Sequence, residues 1–403
     1  MIGLASLRSP AFRRLWLAQA ISLIGDWFTL IALAVVVAQR SHGSGLAISG
    51  LLLTQLVPTA LVGPWSGVLA DRIDRRRLLV ASDLIRAGIV SLLIPAVATP
   101  AVWPIFALSL AHFTVATVFE PARSALVPRL VAASALVSAT TLSSVTWSTM
   151  TAVGGLLSGA SLALTGVRPA FAIDAATFVA SALLIRSIRL PPSKPEAASH
   201  GPGFQDGLRY LAAHPRTASV LLVKSFLGLG LADTFLVLYA TRVFAVGEGG
   251  AVSLGILWAC FGLGAVLGPS LLNLVNDGSV RRMRRLIAVG GVCVSLGLFG
   301  LGLAPTLGWA AAALLVRGMG GSTDWTYSTV ILQKVVPSRL QGRVFALDLA
   351  LLTLVASVAS LTWGYWVDRL GIRPVVTGVA ALTLLPLVAW TLSLAPLERR
   401  SEE

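Results

Sequence analysis

The stretch that decides the fold runs from Leu46 to Arg77: LAISGLLLTQLVPTALVGPWSGVLA, then DRIDRRR. Leu46–Ala70 carries no charged side chain and outlasts the ~20 residues a helix needs to cross a bilayer's hydrocarbon. Asp71, Arg72, Asp74, Arg75, Arg76 and Arg77 then fill a turn before the next apolar run opens at Leu78. An apolar run, a basic turn and a second apolar run describe a chain that leaves a membrane and re-enters it.

The rest of the chain agrees. Of 403 residues, 56% are hydrophobic and 12% charged, against roughly 25% charged in soluble domains. A mean hydropathy of +0.85 cannot be hidden in one globular core, because surface scales too steeply with size. The formal charge of +14 is spread over short clusters between apolar runs, so no continuous basic face for nucleic acid is expected. Cys260 and Cys293 both sit in apolar runs, and the four histidines lack ligand spacing, so no disulfide, metal or cofactor is expected. The first apolar run continues into a polytopic pattern, which argues against a cleavable signal peptide. G-x-x-x-x-G-K-[ST] is absent and no catalytic constellation is visible, which argues against an ATPase or any other enzyme. Energy would come from an ion gradient or from the substrate's own gradient.

Twelve runs are long enough to span: 15–38, 46–70, 78–97, 102–119, 139–164, 169–188, 218–239, 252–275, 286–303, 309–330, 344–363 and 374–394. Barrel strands alternate over about ten residues, so the spans are helices, which satisfy their own backbone groups in lipid. With the N-terminus cytoplasmic, only Arg40, Arg168, Arg242, Arg369 and Arg373 of the 31 basic residues fall in outer loops. The asymmetry places both termini inside. The longest polar stretch, Pro191–Arg216, separates six runs from six: a first bundle over 1–190, a cytoplasmic linker over 191–216 and a second bundle over 217–403. Within the linker, Phe204–Ala213 reads as a short interfacial amphipathic helix. The halves echo each other. Gly25-Asp26-Trp27-Phe28 matches Ala232-Asp233-Thr234-Phe235, and Gly63-Pro64 matches Gly268-Pro269. Parallel six-span repeats with substrate handled between them are a plan of alternating access.

A carboxylate at the centre of a span costs about 2.5–3.5 kcal/mol on insertion scales unless it is paired, hydrated or protonated. Asp26, midway along the first run, is read as a protonatable group lining the cavity; the alternative is a structural carboxylate bonded to a neighbouring helix. Asp233 is its repeat mate. Asp324 and Arg317 lie two turns apart on one helix face, making Asp324 a second candidate for a proton or a cationic substrate, with Arg317 as counter-ion. Asp83 and Arg86, at i and i+3, are read as a local pair. Asp174, Lys224 and Asp348 are read as structural or snorkelling. Gly154, Gly155 and Gly159 imply close helix packing. Trp16, Trp103, Trp309 and Trp363 are read as interface anchors. In the basic loop, Gly67 permits close helix approach and Asp71 is placed to face the positive end of a neighbouring helix. Arg72, Arg75 and Arg76 are placed to clamp carboxylates in a cytoplasmic gate. The alternative is a tight turn carrying only topology charges.

The G-x-x-x-D-R-x-x-R-R pattern between the second and third runs resembles the signature loop of the major facilitator superfamily, with Asp74 standing where that family often has glycine. Four further stretches are similar to the macrolide-efflux and enterobactin-exporter branch: Phe119-Glu120-Pro121-Ala122-Arg123, Ile173-Asp174-Ala175, Val336-Pro337 with Gly342-Arg343-Val344-Phe345, and Gly364–Gly371. The resemblance implies an all-α membrane protein of twelve helices in two six-helix repeats. Glu120 and Arg123 repeat the i, i+3 spacing at the cytoplasmic end of the fourth run and are read as serving the gate, together with Arg343. The expected function is proton-coupled export of amphipathic small molecules of drug, macrolide or siderophore type across a bacterial-type inner membrane, by a chain that works as a monomer. A lysophospholipid-type flippase or an uncoupled facilitator is the alternative, and a membrane sensor or scaffold a remote one.

Overall fold

The protein is described by a computed structural model covering residues 6–132, 135–189, 204–230 and 233–399. Fourteen α-helices occur among the described residues, and no strand. In order they are α1 (Pro10–Arg40), α2 (Gly45–Arg72), α3 (Arg75–Ala96), α4 (Trp103–Leu130), α5 (Leu136–Thr165), α6 (Val167–Arg186) and α7 (Phe204–Ala213). Then come α8 (Pro215–Leu227), α9 (Asp233–Leu238), α10 (Ala251–Asn273), α11 (Val280–Gly302), α12 (Leu307–Val335), α13 (Ser338–Leu370) and α14 (Ile372–Arg399). By length and composition, ten helical stretches among the described residues can cross a membrane. α5 and α12 are as long, at 30 and 29 residues, but are not among those ten.

Local chemistry sets the helix ends. Ser9 caps α1 by accepting from the Phe12 amide, with Pro10 beginning the helix. Ser279 and Thr306 cap α11 and α12 in the same way. Asp74 caps α3, its carboxylate accepting from the Arg77 amide at 2.9 Å. The residue that departs from the signature loop therefore starts the next helix. Gly166 (φ 79°) and Gly371 (φ 85°) turn α5 into α6 and α13 into α14 with no intervening loop.

The seventh expected run, 218–239, is not one helix. α8 ends at Leu227, a 3₁₀ turn covers Gly228–Gly230, α9 covers Asp233–Leu238, and a π-helical turn covers Tyr239–Val243. Two glycines in three residues lower the cost of leaving the helix, and the freed carbonyls are taken up by neighbouring side chains. Trp363 Nε1 donates to Leu229 O and Arg317 to Gly230 O, each at 2.9 Å. Trp363 is thus also a bonded strut between α13 and the break after α8.

The helices gather into two compact units. In the first, made of Met1–Gly43, Val57–Ser199 and Ala240–Ala259, α1 packs on α5 and α6, and α3 on α4 and α6. Its apolar core includes Phe12, Leu15, Leu79, Phe119, Leu126 and Ile185. In the second, made of Ser44–Leu56, His200–Tyr239 and Cys260–Glu403, α11 packs on α12 and α14, and α8 on α12 and α13. Its core includes Val220, Met283, Ile287, Ile331, Val344 and Trp390. Large apolar side chains such as Leu61, Leu92, Leu164 and Leu385 stay exposed, a surface suited to lipid. The glycines of α5 do pack closely: a Cβ on Gly159 would lie 2.6 Å from Ala251 O of α10.

Candidate functional site

In the first unit, four helices bring ionisable side chains together. α1 carries Asp26, α3 carries Asp83 and Arg86, α4 carries His112, and α6 carries Asp174. Gly25 makes the approach of α1 to α6 possible, since a Cβ there would run into Thr177 and Asp174. Arg86 pairs with Asp26 of α1 and not with Asp83 on its own helix. Its guanidinium lies 4.0 Å from the Phe178 ring centroid. His112 completes the group: Nε2 stands 3.6 Å from Asp26 Oδ1 and 3.4 Å from an Arg86 nitrogen, while Nδ1 is buried without a hydrogen-bond partner. Asp174 accepts from Thr29 at 2.5 Å. Both oxygens of Asp83 are buried without a hydrogen-bond partner, the Ser181 hydroxyl being near but outside bonding geometry.

Exposure separates these groups. Asp26 is 30% exposed, while Arg86 and His112 are buried. Three carboxylates thus share one arginine, and only Asp26 has access to the outside of the cluster. Such a group carries surplus negative charge unless it binds protons or a cation. His112 is the member that the sequence reading missed. A histidine inside an apolar run is the same kind of signal that singled out Asp26.

The second unit holds a separate cluster. Lys224 of α8 bonds Asp348 of α13 at 2.6 Å, with side-chain exposures of 4% and 5%. Its ammonium lies 4.0 Å from the centroid of Trp325. Asp324 of α12 is within electrostatic reach of both Lys224 and Asp348, and its Oδ1 is buried without a hydrogen-bond partner. Arg317 is therefore not the counter-ion of Asp324. It bonds Gly230 O at the break after α8, lies 5.0 Å from the Phe261 ring centroid, and is within electrostatic reach of Asp233. Lys224 and Asp348 do not snorkel; they pair in the interior.

The residues expected at a gate are placed as follows. Gly67, Asp71 and Arg72 lie on the last turns of α2, and their side-chain surroundings fall outside the described residues. Arg75 donates to Ala125 O of α4 at 3.0 Å, and Arg76 to Ile188 O beyond α6 at 2.9 Å. Arg123 grips Glu120 through two nitrogens, at 2.9 and 2.5 Å, and reaches Ser143 at 3.3 Å. Arg343 lies in the second unit, its Cβ beside Gly207 of α7.

Comparison with known proteins fits this architecture. The family model described as "Transmembrane secretion effector" (MFS_3) matches residues 1–402. The chain is 26% identical over 381 residues to macrolide efflux protein A of Streptococcus pyogenes, covering 90% of each. It is 27% identical over 350 residues to the enterobactin exporter EntS of Shigella boydii, covering 85% of this chain and 82% of the exporter. Among solved structures, a bacterial homolog of the human lysosomal transporter Spinster, inward-facing and unoccupied, superposes with a TM-score of 0.77 at 15% identity, covering 96% and 97% of the two chains. A point mutant of the nucleoside transporter NupG superposes at 0.74 and 14%, covering 95% and 99%. An all-α multi-pass membrane protein whose relatives are transporters is itself a transporter and not an enzyme, and the chain belongs to the MFS_3 family of the major facilitator superfamily.

Proposed function

We propose that the protein is a proton-coupled exporter of amphipathic small molecules, working by alternating access as a monomer in a bacterial-type plasma membrane. In this reading α5 and α12 also span, giving twelve spans in two repeats with both termini cytoplasmic. α7 lies at the cytoplasmic interface, and Gly67, Asp71, Arg72, Arg75, Arg76, Glu120, Arg123 and Arg343 form the cytoplasmic gate. The observation that carries the coupling is Asp26: a partly exposed carboxylate tied to a buried arginine, next to a buried histidine and within a cluster rich in carboxylates. A proton on Asp26 removes the ion pair to Arg86, so protonation changes what holds α1 to α3. The bound proton thereby shifts the balance between the two access states. Asp324, in the second cluster, is the other carboxylate able to respond in this way, and Asp233, the repeat counterpart of Asp26, is within electrostatic reach of Arg317. Export of macrolide-like or siderophore-like molecules is supported by the names of the relatives.

The test is Asp26→Asn in proteoliposomes with an imposed pH gradient. The variant keeps size and hydrogen bonding but cannot ionise. Uphill export and substrate-driven proton flux should fall to background while downhill exchange survives. Full uphill export with normal proton flux would remove Asp26 as the coupling site and leave Asp324 as the candidate. Exchange indifferent to the pH gradient in the unmodified protein would favour an uncoupled facilitator or a lipid flippase.

A further inference from the structure

The motif G-x-x-x-D-R occurs twice, at Gly67–Arg72 closing α2 and at Gly364–Arg369 closing α13. In the first copy the aspartate was expected to face the positive end of a neighbouring helix. In the second copy that geometry is present. Asp368 accepts from the Gly45 amide at 2.7 Å, the Leu46 amide at 3.1 Å and the Ser44 hydroxyl at 2.9 Å. The two amides are among the first donors of α2, which have no partner inside the helix and lie at its positive end.

Two more layers lie beneath this cap. A Cβ on Gly45 would stand 2.6 Å from Gly364 O, and a Cβ on Gly364 would stand 2.5 Å from Gly45 O, so the two backbones touch only because both residues are glycine. Deeper still, Ser49, with no exposed surface, donates to Ser360 O at 2.5 Å. The seam between the start of α2 and the end of α13 is thus made of a carboxylate, backbone and hydroxyls. Water or lipid headgroups can replace each of these bonds, and the Asp368 side chain is already exposed, so parting the seam leaves none of these polar groups without a partner. α2 belongs to the second unit over Ser44–Leu56 and to the first from Val57 on, so a parted seam releases the start of α2 from the second unit.

We infer that Asp368 is the positioning residue of a latch between α2 and α13, closed here and released during the transport cycle, and that its charge sets how long the seam stays shut. Only the naming of the released stage rests on the alternating-access reading; the latch is tested without transport. In a chain with Cys260 and Cys293 replaced by alanine, Ser49→Cys reports the seam, because a thiol there reacts only when the seam opens. Labelling by a polar maleimide, added to both sides of the membrane without substrate or gradient, is slow in this parent. Asp368→Asn should speed it at least ~10-fold, equivalent to about 1.4 kcal/mol. Asp368→Glu, which keeps the charge, should fall between. Gly364→Ala should also speed labelling, because its Cβ holds the backbones apart with the charge untouched. This second variant carries the test if Asp368→Asn does not accumulate folded. Parent-like labelling in both variants, or in whichever of them folds, overturns the latch. Raised labelling in a protein that exports nothing would sink the export reading and leave the latch standing.

Discussion

Replacing Lys224 with methionine takes the cation out of the α8–α12–α13 cluster and leaves Asp348 and Asp324 facing each other in the interior. Lys224 and Asp348 are 4% and 5% exposed and 2.6 Å apart. Breaking a buried pair by deleting one partner costs about 3–5 kcal/mol, because the other charge stays buried and uncompensated. Two carboxylates remain here, which puts Lys224→Met at the upper end, about 5 kcal/mol. The contact with Trp325 at 4.0 Å is lost as well, at about 0.5–2 kcal/mol. Asp348→Asn is gentler: Lys224 keeps its ring contact and turns to Asp324, so the loss is about 3 kcal/mol or less. The two variants should differ by at least ~2 kcal/mol, or roughly 4 °C in Tm at about 2 °C per kcal/mol for a large chain. Thermal unfolding of the purified protein in detergent, followed by intrinsic fluorescence, measures the difference directly. If the two variants melt within about 1 °C of each other, Asp324 does not share Lys224, and the cluster is a plain ion pair.

Three smaller perturbations check other parts of the account. Asp74→Ala should lower stability by about 0.5–2 kcal/mol through loss of the α3 cap, and Asp74→Gly by only a few tenths; equal effects in thermal melts would remove the cap from the explanation. Gly159→Val should abolish folding or export, because its side chain meets Ala251 O at 2.6 Å from the Cβ onward, and wild-type melting together with wild-type export would contradict the packing. Trp363→Phe leaves Leu229 O without its donor and should cost about 1–3 kcal/mol, whereas Trp103→Phe, at a 73% exposed site, should be neutral in the same melt.

The apolar runs made the helices legible, since length and lack of charge are properties of single segments. Gly154, Gly155 and Gly159 announced close packing but not the partner, because α10 is about a hundred residues away. The pairing of charges was harder to read. Spacing along a helix suggested Asp83 for Arg86 and Asp324 for Arg317. A helix face, however, meets whatever its neighbours bring, and those neighbours were Asp26 from α1 and the Gly230 carbonyl beyond α8. The break after α8 had a local signal in Gly228 and Gly230. It was masked by the hydropathy of the run, which scores apolarity and not backbone continuity. His112 was as visible as Asp26, since any ionisable group inside a span is costly enough to need a reason.

The division of α2 and α10 between the two units bears on how the chain is made. The first unit includes Ala240–Ala259 and the second includes Ser44–Leu56, so neither can be finished from one contiguous half of the gene. At ribosomal rates of about 5–20 residues per second, the start of α2 enters the bilayer roughly 15–60 s before Gly364 is synthesised to meet it. Through that interval Ser44, Ser49 and the first amides of α2 await their partners. Two fragments divided within residues 191–203 should each insert, yet neither would contain a whole unit, so they should be stable only when produced together.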